Sequence, residues 1–164
     1  MRTVVAIAAM LALLFTASCG DKIITYDGPE VTRIVVNKGA RKMYLLHGTE
    51  VLKSYNIELG FAPEGHKQFE GDGKTPEGRY VIDRRNPNSA FYLSIGISYP
   101  NRKDVEYARA QGKRPGGEIF IHGGPRPKDP KGPDWTAGCI SVKNREMRQI
   151  YAMVRNGTVI DINP

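Results

Sequence analysis

Short β-type runs separated by turn residues fill most of the chain beyond position 30, and this pattern constrains the fold most strongly. The runs at 31–38 and 42–47 flank a Gly-Ala pair and predict a hairpin. Over 51–59, apolar residues alternate with polar ones, which is typical of a strand with one buried face. Further strands are predicted at 79–83, 91–98, 118–122 and 158–162.

Only one helix is clearly indicated by apolar spacing. Apolar residues at positions i, i+3, i+4 and i+7, from Met147 to Val154, predict a helix with Asn144 as its N-cap and Gly157 as its C-cap. Residues 102–111 predict a second helix that is short and charged. Many short strands with one or two helices are typical of a mainly β domain. We therefore expect a β-sandwich with one clear helix in the C-terminal half and a second short helix.

The first 19 residues differ in composition from the rest of the chain. Arg2 supplies a positive charge, residues 4–15 are apolar or small, and a Thr-Ala-Ser triplet precedes Cys19. These features predict a secretory signal, and the apolar run is shorter than the about 20 residues that a membrane span needs. Small residues before a cysteine also resemble a bacterial lipobox, which predicts that Cys19 is lipidated. Thr16 stands where a lipobox usually has Leu, so ordinary signal cleavage is the alternative.

The predicted organisation is a signal at 1–19, a short tether at 20–30 and one folded domain at 31–164. Export with lipidation predicts a location in the periplasm or cell envelope, anchored to a membrane through the lipid. A net charge of +7 suits an anionic partner such as a cell-wall polymer. Because the basic residues are scattered and a signal is present, no nucleic-acid partner is expected.

Cys139 is the only other cysteine besides Cys19. An unpaired thiol in an oxidising compartment is exposed to oxidation, so its retention indicates a use. A disulfide between the two cysteines is the structural alternative. It is disfavoured because Cys19 lies at a tethered end of the chain.

A thiol attacks carbonyl groups only as thiolate, so Cys139 needs a nearby base. Among three histidines, His122 ends a predicted strand beside Gly123-Gly124, where a backbone carbonyl can approach the imidazole and fix its tautomer. Gly138 permits close backbone approach, which makes the amides of Gly138 and Cys139 candidate oxyanion donors. The alternative is a buried structural cysteine with a loop histidine.

Two other groups of residues are candidate substrate contacts. His66 lies in a long loop at 60–74, a length that is usually functional, although a solvated histidine is the alternative. The pairs Arg84-Arg85 and Lys113-Arg114 suit substrate carboxylates, with a solvated basic surface as the alternative. No spacing of potential ligands predicts a metal site, and no phosphate-binding loop is found, so no cofactor is expected.

The segments at 121–123 and 136–139 together resemble the L,D-transpeptidase catalytic domain, also called the YkuD domain. The hallmark of that family is a strand ending in His-Gly, a variable loop and then a Ser/Thr-x-Gly-Cys segment. The resemblance extends from about residue 31 to residue 163. Other matching segments are 71–78, 99–101 and 156–159.

The resemblance implies an L,D-transpeptidase-type β-sandwich that acts on peptidoglycan stem peptides. Cys139 then attacks the carbonyl of the third stem residue, usually a diamino acid, and releases the terminal D-alanine. The acyl group passes to an amine of another stem or of an anchored lipoprotein. The resemblance also implies that carbapenems acylate the same cysteine. By the same resemblance His122 is the general base, the Gly123 carbonyl orients it, and Thr136 shapes the site. Trp135 beside it is a candidate substrate contact, with packing as the alternative.

Two departures from the family pattern leave the acceptor open. Many members have His where Ala137 stands and Arg where Ser141 stands. The form of residues 134–140 resembles a branch that includes an amidase, which hydrolyses the bond between peptidoglycan and its attached lipoprotein. A hydrolase with the same Cys-His pair is therefore the alternative. A non-catalytic wall-binding lipoprotein is a third hypothesis, which the reactive thiol disfavours.

Overall fold

The structure is a computed structural model that describes residues 22–164. The predicted signal, its cleavage site and Cys19 lie outside the described residues. The helices are α1 (Arg102–Ala110) and α2 (Asn144–Met153). The strands are β1 (Arg33–Asn37), β2 (Lys42–His47), β3 (Glu50–Asn56), β4 (Gly78–Asn86), β5 (Ser94–Ile97), β6 (Phe120–His122), β7 (Ile140–Ser141) and β8 (Val159–Asn163).

The eight strands form one curled sheet in the order β3-β2-β1-β8-β4-β5-β6-β7. Strand β4 joins its two halves, because residues 78–81 pair with β8 and residues 82–86 pair with β5. The register of the second pairing shifts between Ile82 and Arg84, and such a bulge bends a strand. The mainly β fold expected from the sequence is confirmed.

One hydrophobic core joins both halves of the sheet to α2. Alternate positions along β1 are buried, and Ile34 and Val36 are fully enclosed. Ile121 and Ile140, from the far half of the sheet, belong to the same cluster as Ile150 of α2. Burying each such side chain contributes about 1.5–3 kcal/mol, so the core holds β6 and β7 firmly in place.

The first helix agrees with the sequence, but both predicted caps of the second are wrong. Helix α2 begins at Asn144 itself, and the Glu146 carboxylate accepts a hydrogen bond from the Lys143 amide at 3.1 Å. Asn144 Oδ1 instead accepts the Gly124 amide at 2.9 Å. Helix α2 ends at Met153, whereas Gly157 has φ +92° in the turn before β8.

The predicted strand at 91–98 begins later, at Ser94. Tyr92 adopts a φ of +75°, which breaks the extended ladder. The Phe91 carbonyl accepts the Gly123 amide at 3.0 Å, so this residue lies against the end of β6. Neither helix within residues 22–164 is long and apolar enough to cross a membrane.

Candidate active site

Two short parallel strands bring the candidate nucleophile beside the candidate base. Strand β6 ends at His122, and Cys139 lies directly before β7. The register pairs Ile121 with Ile140 and His122 with Ser141. Partner residues in a parallel pair project to the same face of a sheet, so this register brings the Cys139 segment alongside β6.

The Cys139 thiol lies near the amino end of β6. Its Sγ accepts the Phe120 amide at 3.4 Å and lies 3.5 Å from the Glu118 carbonyl oxygen. Cys139 is half-buried and unpaired. The sulfur is therefore held by backbone groups while the residue keeps access to the surface.

The His122 imidazole is buried, and one hydrogen bond decides its tautomer. Its Nδ1 lies 2.6 Å from the Gly123 carbonyl oxygen. A carbonyl oxygen only accepts, so Nδ1 carries the proton and the neutral ring has its free lone pair on Nε2. That nitrogen is chemically able to take a proton from a thiol.

Aromatic rings pack against the imidazole. The Phe91 ring centroid lies 4.3 Å from that of His122, with the planes inclined by 30°. The Trp135 centroid lies 5.7 Å from His122 in an edge-on arrangement. The Arg126 guanidinium covers Phe91 at 3.8 Å from its centroid. Trp135 thus contacts the candidate base, and its indole Nε1 is buried without a hydrogen-bond partner among the described residues.

Sequence reasoning missed Phe91 and Arg126. The sequence pattern places Phe91 in an ordinary strand. Its contact with β6 depends on the turn at Tyr92. Gly123 is needed where the two segments meet, because a Cβ there would lie 2.9 Å from the Phe91 carbonyl oxygen. A glycine after the histidine was the only local signal of this close packing.

Burial lowers the pKa of His122 below its ordinary value of 6.5, and the charge of Arg126 acts in the same direction. The Gly123 hydrogen bond and the Asp129 carboxylate oppose this shift without reversing it. A buried base that resists protonation is uncharged at neutral pH.

Burial also raises the pKa of the Cys139 thiol above 9.0, and Glu118 adds to the effect. The Phe120 amide and the Lys67 charge oppose it. At neutral pH the resting pair is therefore an uncharged thiol beside an uncharged imidazole. Attack on a carbonyl then requires proton transfer to His122 during the reaction.

The Thr136 side chain stabilises the turn that precedes the thiol. Its hydroxyl donates to the Cys139 carbonyl at 2.7 Å and accepts the Gly138 amide at 3.1 Å. The Gly138 amide, one of the two expected oxyanion donors, is thus engaged by Thr136 in this structure. Gly138 itself is required, since its φ is +132° and a Cβ would lie 2.7 Å from the Lys74 carbonyl oxygen.

A second brace holds the same segment from the other side. Asp134 forms an ion pair with Arg41 at 2.6 Å, and its Oδ1 accepts the Leu59 amide at 3.0 Å. The Glu58 carboxylate in turn accepts the Asp134 amide at 2.7 Å, and the Glu58 backbone bridges to Ser141. Sequence reasoning missed this brace because its members are distant in the chain.

The remaining candidates divide into structural and surface residues. His66 Nδ1 accepts the Glu77 amide at 2.9 Å, so its Nε2 donates to the Asp104 carboxylate at 3.0 Å. Arg85 donates to backbone carbonyls at the end of α2. Both residues are thus occupied in holding the fold.

Arg84 is half-buried, whereas Lys113 and Arg114 are exposed. Arg84 lies over the Phe120 ring at 4.8 Å. Lys113 and Arg114 line a groove that ends at Glu118 and Ala137, next to Cys139. Across residues 22–164, no three His, Cys, Asp or Glu side chains group as a metal site.

A family model and the most similar sequences agree on one protein family. The sequence model of the L,D-transpeptidase catalytic domain (YkuD) matches residues 31–162. The Escherichia coli K12 protein named "Putative L,D-transpeptidase YafK" is 33% identical over 113 residues, which cover 67% of this chain and 40% of that protein. A Bacillus licheniformis protein named "Putative L,D-transpeptidase YkuD" is 28% identical over 137 residues, covering 80% of this chain and 66% of that protein.

Solved structures show the same fold. The helical cell shape determining protein Pgp2 from Campylobacter jejuni superposes with a TM-score of 0.63 and 27% identity, over 87% of this chain and 51% of Pgp2. An L,D-transpeptidase from Mycobacterium smegmatis shares the fold at a TM-score of 0.55 and 14% identity, over 82% of this chain and 59% of that one. The chain spans about half the length of Pgp2 and less than half of YafK.

Proposed function

Because this chain belongs to the L,D-transpeptidase catalytic domain (YkuD) family, we propose that it is a cysteine acyltransferase acting on peptidoglycan stem peptides. Cys139 is the nucleophile and His122 the general base. The observation that carries the proposal is the hydrogen bond between His122 Nδ1 and the Gly123 carbonyl at 2.6 Å. It leaves Nε2 as the basic nitrogen on a strand that runs beside the thiol.

In the first step the thiol proton moves to His122 Nε2 as Sγ attacks the carbonyl carbon of the third stem residue. The S–C bond forms and the carbonyl oxygen takes the negative charge. The backbone amide of Cys139 itself is the proposed hydrogen-bond donor to this oxygen. The C–N bond then breaks, and His122 returns the proton to the departing amine of D-alanine. A thioester on Cys139 remains.

In the second step an amine attacks the thioester. Its proton passes through His122 to the sulfur as the S–C bond breaks, which regenerates the thiol and forms a new amide. The acceptor is an amine of a second stem or the lysine of an anchored lipoprotein. The neutral resting pair suits both steps, because His122 must accept and release one proton in each.

A hydrolase is the second candidate, and the small side chains at two positions favour it. Ala137 is exposed on the rim of the groove, and Ser141 is buried in β7. This chain therefore lacks the His and the Arg that many family members place at these two positions. Water would then attack the thioester, and the substrate would be a stem or a stem-linked lipoprotein.

Product analysis separates the two candidates. Purified protein is incubated with a tetrapeptide stem, with and without a free amine. An acyltransferase forms the new amide and releases D-alanine, whereas a hydrolase yields the tripeptide acid alone. A stem linked to the ε-amine of lysine tests the amidase version. If wild-type protein and Cys139→Ala gave identical products on every substrate, the proposal would be rejected in favour of a wall-binding role.

We also propose that the protein is exported and held in the cell envelope by a lipid on Cys19. This follows from the signal-like residues 1–19 and from the wall substrate of the family. Cell fractionation tests it: wild-type protein should pellet with membranes and Cys19→Ala should be released. Equal release of both proteins would contradict lipidation.

A further inference from the structure

Strand β4 carries a bulge where it passes the candidate site. Its register with β5 shifts between Ile82 and Arg84. The side chains of Asp83 and Arg84 consequently both lie over Gly96 of β5. The next residue, Arg85, turns to the opposite face and contacts α2. A bulge of this kind re-aims a side chain and is frequent next to active sites.

One row of paired residues connects Arg84 to the candidate nucleophile. Arg84 pairs with Gly96, and Gly96 pairs with Phe120 of β6. The register of β6 with β7 sets Cys139 beside Phe120, whose amide donates to Sγ at 3.4 Å. Paired residues share a face of a sheet, so Arg84 projects from the same face as the thiol.

Glycine at position 96 lets the arginine lie flat across this row. A Cβ there would be 2.6 Å from Arg84 Nε. The guanidinium therefore reaches over β5 to the Phe120 ring, and its central carbon lies 4.8 Å from the ring centroid. Neighbouring strands are about 4.8 Å apart, so the guanidinium is within one to two strand spacings, about 5–10 Å, of the sulfur.

Two donors of this guanidinium lack a partner in the described part of the chain. Arg84 Nε and Nη2 are buried and make no hydrogen bond within residues 22–164. The Asp83 carboxylate is 3.6 Å from Nε, which is longer than a hydrogen bond, and the Arg84 side chain is 41% exposed. Arg126, a second cation near the imidazole, is instead bound by Asp129 at 2.6 Å. Arg84 thus has hydrogen-bonding capacity left for a carboxylate, which its planar fork fits.

The leaving group carries a carboxylate that fits this position. His122 protonates the departing amine, so that amine lies near the imidazole. His122 and Phe120 are two residues apart on one face of β6, about 7 Å from each other. The carboxylate of D-alanine is one residue length, about 3.5 Å, from the acyl carbon. It can therefore reach the guanidinium above Phe120 while the amine stays beside His122.

We propose that Arg84 binds the carboxylate on the carbon next to the reacting amine. In the first step this is the carboxylate of the departing D-alanine. The acceptor amine attacks along the path by which the first amine left. The same guanidinium therefore selects acceptors with a carboxylate on that carbon over the side-chain amine of a lysine. This inference rests on the proposed function, because it assumes that a stem peptide acylates Cys139.

Binding to protein that cannot turn over gives the direct test. Two tetrapeptide stems are compared that differ only in a free acid or an amide at the terminal D-alanine. Their Kd values are measured on Cys139→Ala protein and on the same protein carrying Arg84→Gln. The matched control carries Arg33→Gln, which removes a similarly exposed arginine, 3.3 Å from Asp161, in the other half of the sheet.

The parent protein should bind the acid about fivefold more tightly than the amide, as expected for a partly exposed charge pair. Arg84→Gln should remove this preference by weakening the binding of the acid alone, and the control should keep it. The preference should also shrink between 0.1 M and 1 M salt, because screening shortens from about 10 Å to about 3 Å. Thermal melting checks that all proteins are folded.

Equal binding of the two peptides by the parent protein would overturn the inference, and so would a preference that survives Arg84→Gln. Weaker binding of both peptides in that variant would assign the arginine to packing. So would slower alkylation of the native Cys139 by iodoacetamide, an uncharged reagent, when Arg84→Gln is introduced.

The acceptor is tested with the native cysteine, a tetrapeptide donor and either labelled D-alanine or labelled D-alaninamide. Transfer to D-alanine should be about fivefold faster, and Arg84→Gln should abolish the difference. Equal transfer to both, or transfer to neither, would show that Arg84 does not select the acceptor.

Acylation of the wild-type protein by a carbapenem separates this inference from the proposed function. If acylation occurs and the peptides are not discriminated, only the role of Arg84 fails. If acylation does not occur, the proposed function fails.

Discussion

At the scale of single residues, the candidate site depends on keeping both reacting groups uncharged until a substrate is present. The hydrogen bond from Nδ1 to the Gly123 carbonyl fixes the tautomer of His122, and the rings of Phe91 and Trp135 pack against the imidazole. The thiol is held by backbone groups and by no carboxylate or second imidazole among its hydrogen-bond partners in residues 22–164. Reactivity then depends on the protonation state of one imidazole.

The pH dependence of acylation follows from these shifts. Burial lowers the pKa of His122 below 6.5 and raises that of Cys139 above 9.0. The base form of His122 is therefore complete at neutral pH and is lost as the pH falls through its lowered pKa. The second-order rate of acylation by a carbapenem should rise from acidic pH, reaching a plateau in the neutral range. A rate that shows no fall at acidic pH while the protein stays folded would contradict the role of His122.

Replacing Phe91 by Leu tests whether the ring positions the base. Loss of the stacked ring admits water, so the pKa of His122 should move up towards 6.5, and acylation should slow by roughly tenfold. The acidic limb of the rate profile should shift to higher pH. The control is Tyr44→Leu, which removes a half-buried ring from β2 and should leave the acidic limb of the rate profile at its wild-type pH. A limb that does not move in Phe91→Leu would assign Phe91 a packing role only.

At the scale of elements, the site depends on how the segment before β7 is braced. Thr136 stabilises its own turn. Asp134 links the same segment to the chain after β3 through the Leu59 amide, and to the turn before β2 through Arg41. The second of these braces joins chain segments that are far apart in sequence. The position of the thiol therefore depends on contacts between segments that are distant in sequence.

Arg41→Gln tests the second brace. Loss of the ion pair should lower the free energy of unfolding by only about 0.5–1 kcal/mol, because the Arg41 side chain is partly exposed. Acylation of Cys139 should slow several-fold, since the turn before the thiol becomes less restrained. Arg79→Gln breaks a comparable ion pair with Asp161 on the far side of β8 and should keep the wild-type rate. Equal rates in both variants would show that the Arg41 contact is not needed to position the thiol.

Local sequence patterns predicted the elements better than their ends. Strand β6 and the core face of α2 follow from spacing, because burial of alternate or helically spaced apolar residues determines them. The caps of α2 were wrong because the Asn144 amide is used by a neighbouring loop, which no local pattern reveals. The predicted strand at 91–98 is shortened by the positive φ of Tyr92. That turn also explains why Phe91 was not recognised beside His122.

At the scale of the whole molecule, the curled sheet brings the candidate nucleophile, base and groove to its β6–β7 edge. The Cys-His pair could be proposed from its glycine context and from the single cysteine that follows the signal-like residues, since both are visible in sequence. The basic groove could not, because it combines α1 with two distant loops. The net charge of +7 is consistent with the anionic wall polymer that we propose as the larger substrate.

The central claim is that Cys139 forms an acyl-enzyme, and intact mass spectrometry tests it most directly. Purified wild-type protein and Cys139→Ala are incubated with a carbapenem and their masses are compared. We predict that the wild-type mass increases by one carbapenem and that the variant stays unchanged. An unmodified wild-type protein, or the same adduct on both proteins, would contradict the assignment of Cys139 as the nucleophile.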